Sequence, residues 1–398
     1  MTIEATPLPT TRPTPFDPPE DYRTLREDQP VSRLAMPDGT AGWLVTSYEL
    51  VRAVMSGPQF SSRPEKMSNP LRVVTPEERA EFTVRPGMFI SMDPPDHGRY
   101  RKLLTGQFTV RRMRALEPRI HQMVVEHLDA MEAAGDSADL VEAFALPIPS
   151  LVICELLGVP YEERDEFQTR SSKMLDLSLP FEQVRAAAEG IDEYLKGLVA
   201  RKRENPGDDM LSGLFESDPT LTDDEIAAMG FLLLIAGHET TANMLGLGTF
   251  LLLQNPDQLD KLRANPDLTN GAVEELLRYL SVVQFGTVRV VLEDVEIGGQ
   301  QFRAGETVVC SLAAANRDPA RFDSPEILDI TRTHSTHIAF GHGIHQCLGQ
   351  QLSRVEMQIA FRGLFDRFPN LRLAVDPSEV KLRTTSVVYG AATLPVAW

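Results

Sequence analysis

Toward the C-terminal end of the chain, Leu348, Leu352, Val355, Ile359 and Leu364 return every three to four residues, which is the repeat of one apolar helix face. That pattern predicts a helix there. A longer helical stretch starts at Thr222, with Glu225 three residues on, the pairing of a capping box. It is predicted to run to Gln254, where Asn255-Pro256 stops it, a rod of about 50 Å. Its interior is uneven. Phe231-Leu-Leu-Leu-Ile-Ala236 is solidly apolar, whereas Gly237-His-Glu239-Thr240-Thr241 brings residues that weaken a helix. Small residues at Ala236 and Gly237 let a flat ligand approach the backbone, and a hydroxyl bonding back toward the preceding turn can open the helix. Glu275-Leu-Leu-Arg278 sets opposite charges three apart on a further helix. Pro94-Pro95 leads into another, on which His97 and Arg101 point the same way.

Ahead of the C-terminal helix lies Phe340-Gly-His-Gly-Ile-His-Gln-Cys347-Leu-Gly349, a glycine-rich loop that delivers one cysteine to the helix start. Unpaired backbone N–H groups and the positive end of the helix dipole there favour thiolate over thiol. Gly341, Gly343 and Gly349 allow a tight turn and close approach to a flat partner. A thiolate held that way is suited to bind a haem iron axially. Two plainer readings stand beside it. A lone cysteine is often a small buried hydrophobe, and His342, His345 and Cys347 are close enough to suggest zinc, although no Cys-x-x-Cys or His-x-x-x-His pair completes such a site.

The 398 residues allow two or three domains on length alone. No internal repeat and no Ser/Gly-rich linker divides them, so residues 21–398 read as one large, mainly helical domain. Pro7, Pro9, Pro13, Pro15, Pro18 and Pro19 mark residues 1–20 as an extended arm. The N-terminus has no basic region followed by an apolar stretch, and no apolar run nears the roughly eighteen residues of a membrane span. Three scattered cysteines make no disulfide framework. A soluble cytoplasmic protein, without a membrane partner, is expected. The net charge of -18 argues against a nucleic-acid surface. Against that balance, Arg99, Arg101, Lys102, Arg111, Arg112 and Arg114 crowd one stretch, either as a solvated helix face or as a docking patch for an acidic partner.

The cysteine loop reads F-x-x-G-x-H-x-C-x-G and resembles the haem-binding signature of the cytochrome P-450 superfamily. Ala236 to Thr241 resembles that family's oxygen-activation motif, Glu275–Arg278 its E-x-x-R, and His97–Arg101 its H-x-x-x-R. These occur in order with Ala315-Asn-Arg-Asp-Pro319 and the closing Leu394-Pro395, so the resemblance covers nearly the whole chain. It is closest to soluble bacterial members, especially actinobacterial ones tied to natural-product tailoring and xenobiotic oxidation. It implies a single haem-thiolate fold, mainly α with small β-sheets (α+β), carrying haem b.

By that resemblance Cys347 is the axial iron ligand, with Phe340, Gly341 and Gly349 shaping its loop and Ala236 and Gly237 close to the cofactor. His97, Arg101, Arg289 and His345 would hold the haem propionates. Thr240 would hydrogen-bond the dioxygen being activated and Glu239 would serve proton delivery. Glu275, Arg278 and Arg332 form a structural set. Substrate contacts fall on Met88, Phe89, Ile90, Leu232, Ile235, Ala236, Phe285, Thr287, Val387 and Val388, which imply a lipophilic, medium-sized small molecule. The implied reaction inserts one oxygen atom from O2, by hydroxylation first and by epoxidation or dealkylation where the substrate allows. No Gly-x-Gly-x-x-Gly follows a strand, so electrons from NAD(P)H are expected through an external ferredoxin and ferredoxin reductase, with the enzyme a monomer. A peroxide-driven peroxygenase and a non-catalytic haem-thiolate sensor are the alternatives, and a zinc hydrolase is the competitor from another class.

Overall fold

A computed structural model describes residues 5–75, 78, 84–333 and 336–398. The chain falls into two compact units, each assembled from separate stretches of sequence. The first comprises Met1–Gly98, Leu277–Leu328 and His334–Cys347; the second comprises Arg99–Leu276, Asp329–Thr333 and Leu348–Trp398.

The first unit is built on a five-stranded sheet in the spatial order Val31–Ala35, Ala41–Val45, Thr307–Cys310, Thr287–Val291, Phe60–Ser61. Thr307-Val-Val-Cys310 and Thr287-Val-Arg-Val-Val291 are rich in β-branched residues, which suit a pleated, half-buried surface. Neighbours are antiparallel except for Ala41–Val45 beside Thr307–Cys310, which run parallel with Trp43 opposite Val308. The helix Tyr48–Ser56 buries Tyr48, Val51, Val54 and Met55, a helical spacing, in one core with Trp43, Phe302 and Val308. The N-terminal arm is laid along the free edge of this sheet. Thr6 bridges to Leu34, with Thr6 N donating to Arg33 O and Ala35 N to Thr6 O, so unpaired edge groups are covered.

The second unit is helical. Its axis is the helix Asp223–Gln254, whose Thr222–Glu225 capping box and end at Gln254 match the sequence expectation. A helix that is apolar on every side must be enclosed. Here the enclosing helices are Pro147–Leu157, Arg164–Leu175, Phe181–Glu204 and Gln350–Arg367. A three-stranded sheet of Ser137–Asp139, Pro395–Ala397 and Arg372–Leu373 completes the unit. Mainly α with small sheets is therefore the architecture. Among the described residues no helix is long and apolar enough to cross a membrane.

The C-terminal helix Gln350–Arg367 departs from its expected face. Leu352, Glu356, Met357, Ala360, Phe361 and Leu364 are buried, whereas Val355 and Ile359 are only half-buried. The core stripe thus passes one residue beyond the apolar pair read from the sequence and takes in an acid. Glu356 is 2% exposed, and its Oε2 has no hydrogen-bond partner among the described residues. Burial pushes its carboxyl well above the usual range. The folded protein therefore keeps a proton that the unfolded chain releases near pH 4.5. Stability accordingly falls as pH rises from there toward the folded value. Glu356→Gln, which cannot ionise, is expected to be more stable than the parent at neutral pH, by a margin that shrinks toward pH 4.5. Thermal unfolding midpoints of the two proteins across pH test this, and a pH-independent gap would contradict it.

Candidate active site

The cysteine loop closes on itself in the first unit. Cys347 N donates to Phe340 O at 2.8 Å, Gly341 N to Ile338 O at 2.9 Å and Gln346 N to Gly343 O at 3.0 Å. Gly341 and Gly343 take φ of 74° and 75°, where a side chain is strained. A Cβ on Gly343 would also lie 2.7 Å from Met55 O, so the loop seats directly on the helix Tyr48–Ser56. Cys347 is a half-buried thiol outside any disulfide. One expectation needs correction: the helix begins at Gln350, three residues later, and the cysteine's own amide is already bonded to Phe340 O. The thiol is placed by a closed turn rather than by the first turn of a helix.

The same unit holds three of the four expected propionate partners. His97 is buried, and its ring lies 4.3 Å from that of His345 and 6.0 Å from that of Phe89. Arg289 is 8% exposed and donates to Val288 O at 2.8 Å. Burial pulls its guanidinium below the usual arginine range. No carboxylate of the described residues lies within ion-pair distance of it. Asp93, whose charge favours it, is committed to Ser61 Oγ at 2.5 Å and Ser62 N at 2.9 Å. A buried cation of this kind calls for an anion, and the carboxylates of a haem supply one. The residues therefore fit the group. The zinc reading does not: among the described residues no cluster of three His, Cys, Asp or Glu could hold a metal ion.

Arg101 is half-buried on the helix Asp96–Gln107 and belongs to the second unit. There the axial helix carries the remaining candidates. Between Glu225 and Leu252 only Ile235, Ala236, Gly237 and Thr240 escape burial. Thr240 Oγ1 donates to Ala236 O at 2.9 Å, the expected back-bond, yet the helix continues unbroken. Gly237 has a different reason to be small than the one expected. A Cβ there would come 2.8 Å from Ile153 Cδ1, so the glycine admits the helix Pro147–Leu157. Ala236 is the exposed small residue.

Glu239 is 1% exposed, and its Oε2 accepts from Arg383 Nη1 at 2.6 Å and from Asn243 Nδ2 at 3.3 Å. Its neighbour His238 is fully buried. Burial pushes that imidazole below its usual range, so the neutral ring donates from Nδ1 to Leu234 O at 2.6 Å and accepts from Ser171 Oγ at Nε2, 2.9 Å. Sequence reasoning missed Arg383, Asn243 and the His238–Ser171 pair. Only Asn243, four residues after Glu239, carried a readable signal.

Glu275 Oε1 accepts from Asp329 N and Oε2 from Arg332 Nε, both at 3.0 Å. Arg278, in the first unit, donates to Asn316 O and Pro325 O at 2.9 Å. Of the substrate candidates, Phe89, Leu232 and Val388 are buried, and Met88, Ile235, Thr287 and Val387 half-buried. Ile90 is half exposed, and Phe285 packs against the sheet core around Leu34 and Leu44. The basic stretch is less free than its sequence implied. Arg99 pairs with Glu225 at 3.0 Å and Asp218 at 3.5 Å, and Arg112 with Asp208 at 3.7 Å. Lys102 and Arg111 remain exposed, and the Arg114 side chain lies outside the described residues.

Comparison with known proteins places these motifs in context. Residues 29–389 match the family model described as Cytochrome P450. Cytochrome P450 105C1 from a Streptomyces species is 50% identical over 384 residues, covering 96% of each chain. Pentalenic acid synthase of Streptomyces avermitilis is 45% identical over 394 residues, covering 98% of this chain and 97% of its own. The crystal structure of CYP105P1 in complex with filipin I superimposes with a TM-score of 0.93 at 45% identity, covering 99% of both chains.

Proposed function

Because this chain belongs to the cytochrome P450 family of haem-dependent monooxygenases, we propose that it oxidises a lipophilic small molecule in natural-product tailoring or xenobiotic oxidation, with hydroxylation as the default outcome. The observation that carries the site assignment is the closed loop around Cys347, a thiol outside any disulfide, set by two positive-φ glycines in the family's ligand position. A bound haem would supply the oxidative chemistry, one atom of O2 entering the substrate and the other leaving as water at the expense of two electrons and two protons, with Cys347 as thiolate favouring O–O cleavage.

The chain's own residues do the rest. Cys347 would hold the iron. His97, His345 and Arg289, and by the family's pattern Arg101, would bind and orient the propionates, and the burial of His97 and Arg289 would strengthen such charge-assisted bonds. Thr240, one of the few unburied positions of its helix, offers a hydroxyl on the same turn as the buried acid Glu239, and together they hold and pass protons. Apolar side chains at Leu232, Ile235 and Val388 select a lipophilic ligand. One relative's name, pentalenic acid synthase, and filipin I in a related crystal structure support a substrate of that class. Electrons come from NAD(P)H through a ferredoxin and its reductase.

A spectrum of the reduced, carbon-monoxide-bound protein tests the haem-thiolate assignment, and spin-state titration against a natural-product library tests the substrate class. Thr240→Ala is expected to lower product formed per NADPH roughly tenfold, the missing equivalents leaving as peroxide or water. Unchanged coupling would remove Thr240 from the proton route.

A further inference from the structure

Near the C-terminus the second unit contains a hairpin in which Leu382 pairs with Ala391 and Arg383 N donates to Gly390 O at 2.9 Å. Its tip is tied to the end of the helix Arg164–Leu175, since Val387 N donates to Leu175 O at 3.0 Å and Leu177 N to Thr385 O at 2.9 Å. Both flanks of the hairpin close on one turn of the axial helix. From one flank, Arg383 reaches Glu239 Oε2 at 2.6 Å and Ser172 Oγ at 2.8 Å with its two terminal nitrogens. From the other, Gly390 lies so close to Asn243 that a Cβ would overlap its Oδ1. Asn243 in turn donates to Glu239 O at 2.7 Å.

A carboxylate as buried as Glu239 is stable only with a well-aligned charged partner. Arg383 supplies that charge, and its planar fork fixes the direction of the carboxylate because the second nitrogen is held by Ser172. Nothing on the axial helix itself could do both. Val387 and Val388 lie in the same hairpin, between the two residues that grip the helix.

We propose that Arg383 is the positioning residue for Glu239, so that the C-terminal hairpin sets how efficiently protons reach the reaction. This rests on the reading of Glu239 as the proton-delivery acid.

The test uses holoenzymes with ferredoxin and reductase, an alkoxycoumarin as the added probe, and four variants: Arg383→Gln, Arg383→Lys, Glu239→Gln and the Gln/Gln double substitution. NADPH oxidation, peroxide released per NADPH and the solvent isotope effect are read whether or not the probe is dealkylated. Thermal midpoints and carbon-monoxide spectra give a readout apart from turnover. Arg383→Gln is expected to slow NADPH oxidation about tenfold and to change the isotope effect, with Arg383→Lys intermediate. Adding Glu239→Gln to Arg383→Gln should change the rate less than about twofold, because groups acting as one unit are not additive. The same non-additivity is expected in the thermal midpoints. A native rate and isotope effect in Arg383→Gln, or effects that multiply in the double variant, would overturn the proposal. Should the Gln variant lose its haem-thiolate spectrum, native behaviour of the Lys variant would overturn it equally. Failure of the underlying reading shows separately, as a native rate and isotope effect in Glu239→Gln alone.

Discussion

Cys347→Ser is expected to give a folded protein that, reduced under carbon monoxide, shows no haem-thiolate absorption and supports no monooxygenase turnover. The substitution is close to isosteric. The loop is held by main-chain bonds and by the seating of Gly343 on Met55, none of which involves the sulfur. Fold and ligation are therefore separable at this position. A serine hydroxyl is a poor donor at neutral pH because it does not ionise, whereas a cysteine thiolate is both accessible and polarisable. Loss of a supporting partner at a metal site costs roughly 10–100-fold, and loss of the ligand itself should exceed that. Absorption and turnover are read on the same preparation. Survival of both would remove Cys347 from the iron and with it the proposed site.

The largest stability effect is expected at Glu275. Its side chain is 0% exposed, and it joins the backbone of Asp329 to the Arg332 guanidinium, whose side chain is 13% exposed. Taking one partner from a buried ion pair costs about 3–5 kcal/mol, because the other charge is left desolvated. Glu275→Ala should therefore lower the urea midpoint sharply. Glu275→Gln should lower it less, since the amide oxygen can still accept from Asp329 N. Arg332→Ala should lower it about as much as Glu275→Ala, since it takes that guanidinium from a carboxylate that is 0% exposed. A midpoint within error of the parent for Glu275→Ala would show that the set contributes nothing to the scaffold.

What the sequence made legible is what neighbouring residues determine. The Thr222–Glu225 box, the stop at Asn255-Pro256 and the Thr240 back-bond to Ala236 all operate over four residues or fewer, and all three are present. The cysteine loop is likewise local, down to its positive-φ glycines. Misreadings arose where a distant segment decides. Gly237 looked like room for a ligand because Ile153, from another helix, is not its neighbour in sequence. Periodicity puts Val355 and Ile359 on the apolar face of their helix, but it fixes the existence of such a face more firmly than its centre. The Arg383–Glu239 pair spans 144 residues and leaves no spacing to detect. Arg99 and Arg112 looked like free charge because their acidic partners are also remote.

The parallel pairing of Trp43 with Val308 has a consequence for biosynthesis. At a ribosomal pace of about 5–20 residues per second, the strand Ala41–Val45 waits roughly ten to fifty seconds for its partner to emerge. Meanwhile the uninterrupted stretch Arg99–Leu276 is complete and can begin to organise its helices. During that interval the nascent strand has an open flank, so poor yields would be relieved by a strand-binding chaperone rather than by changing the core.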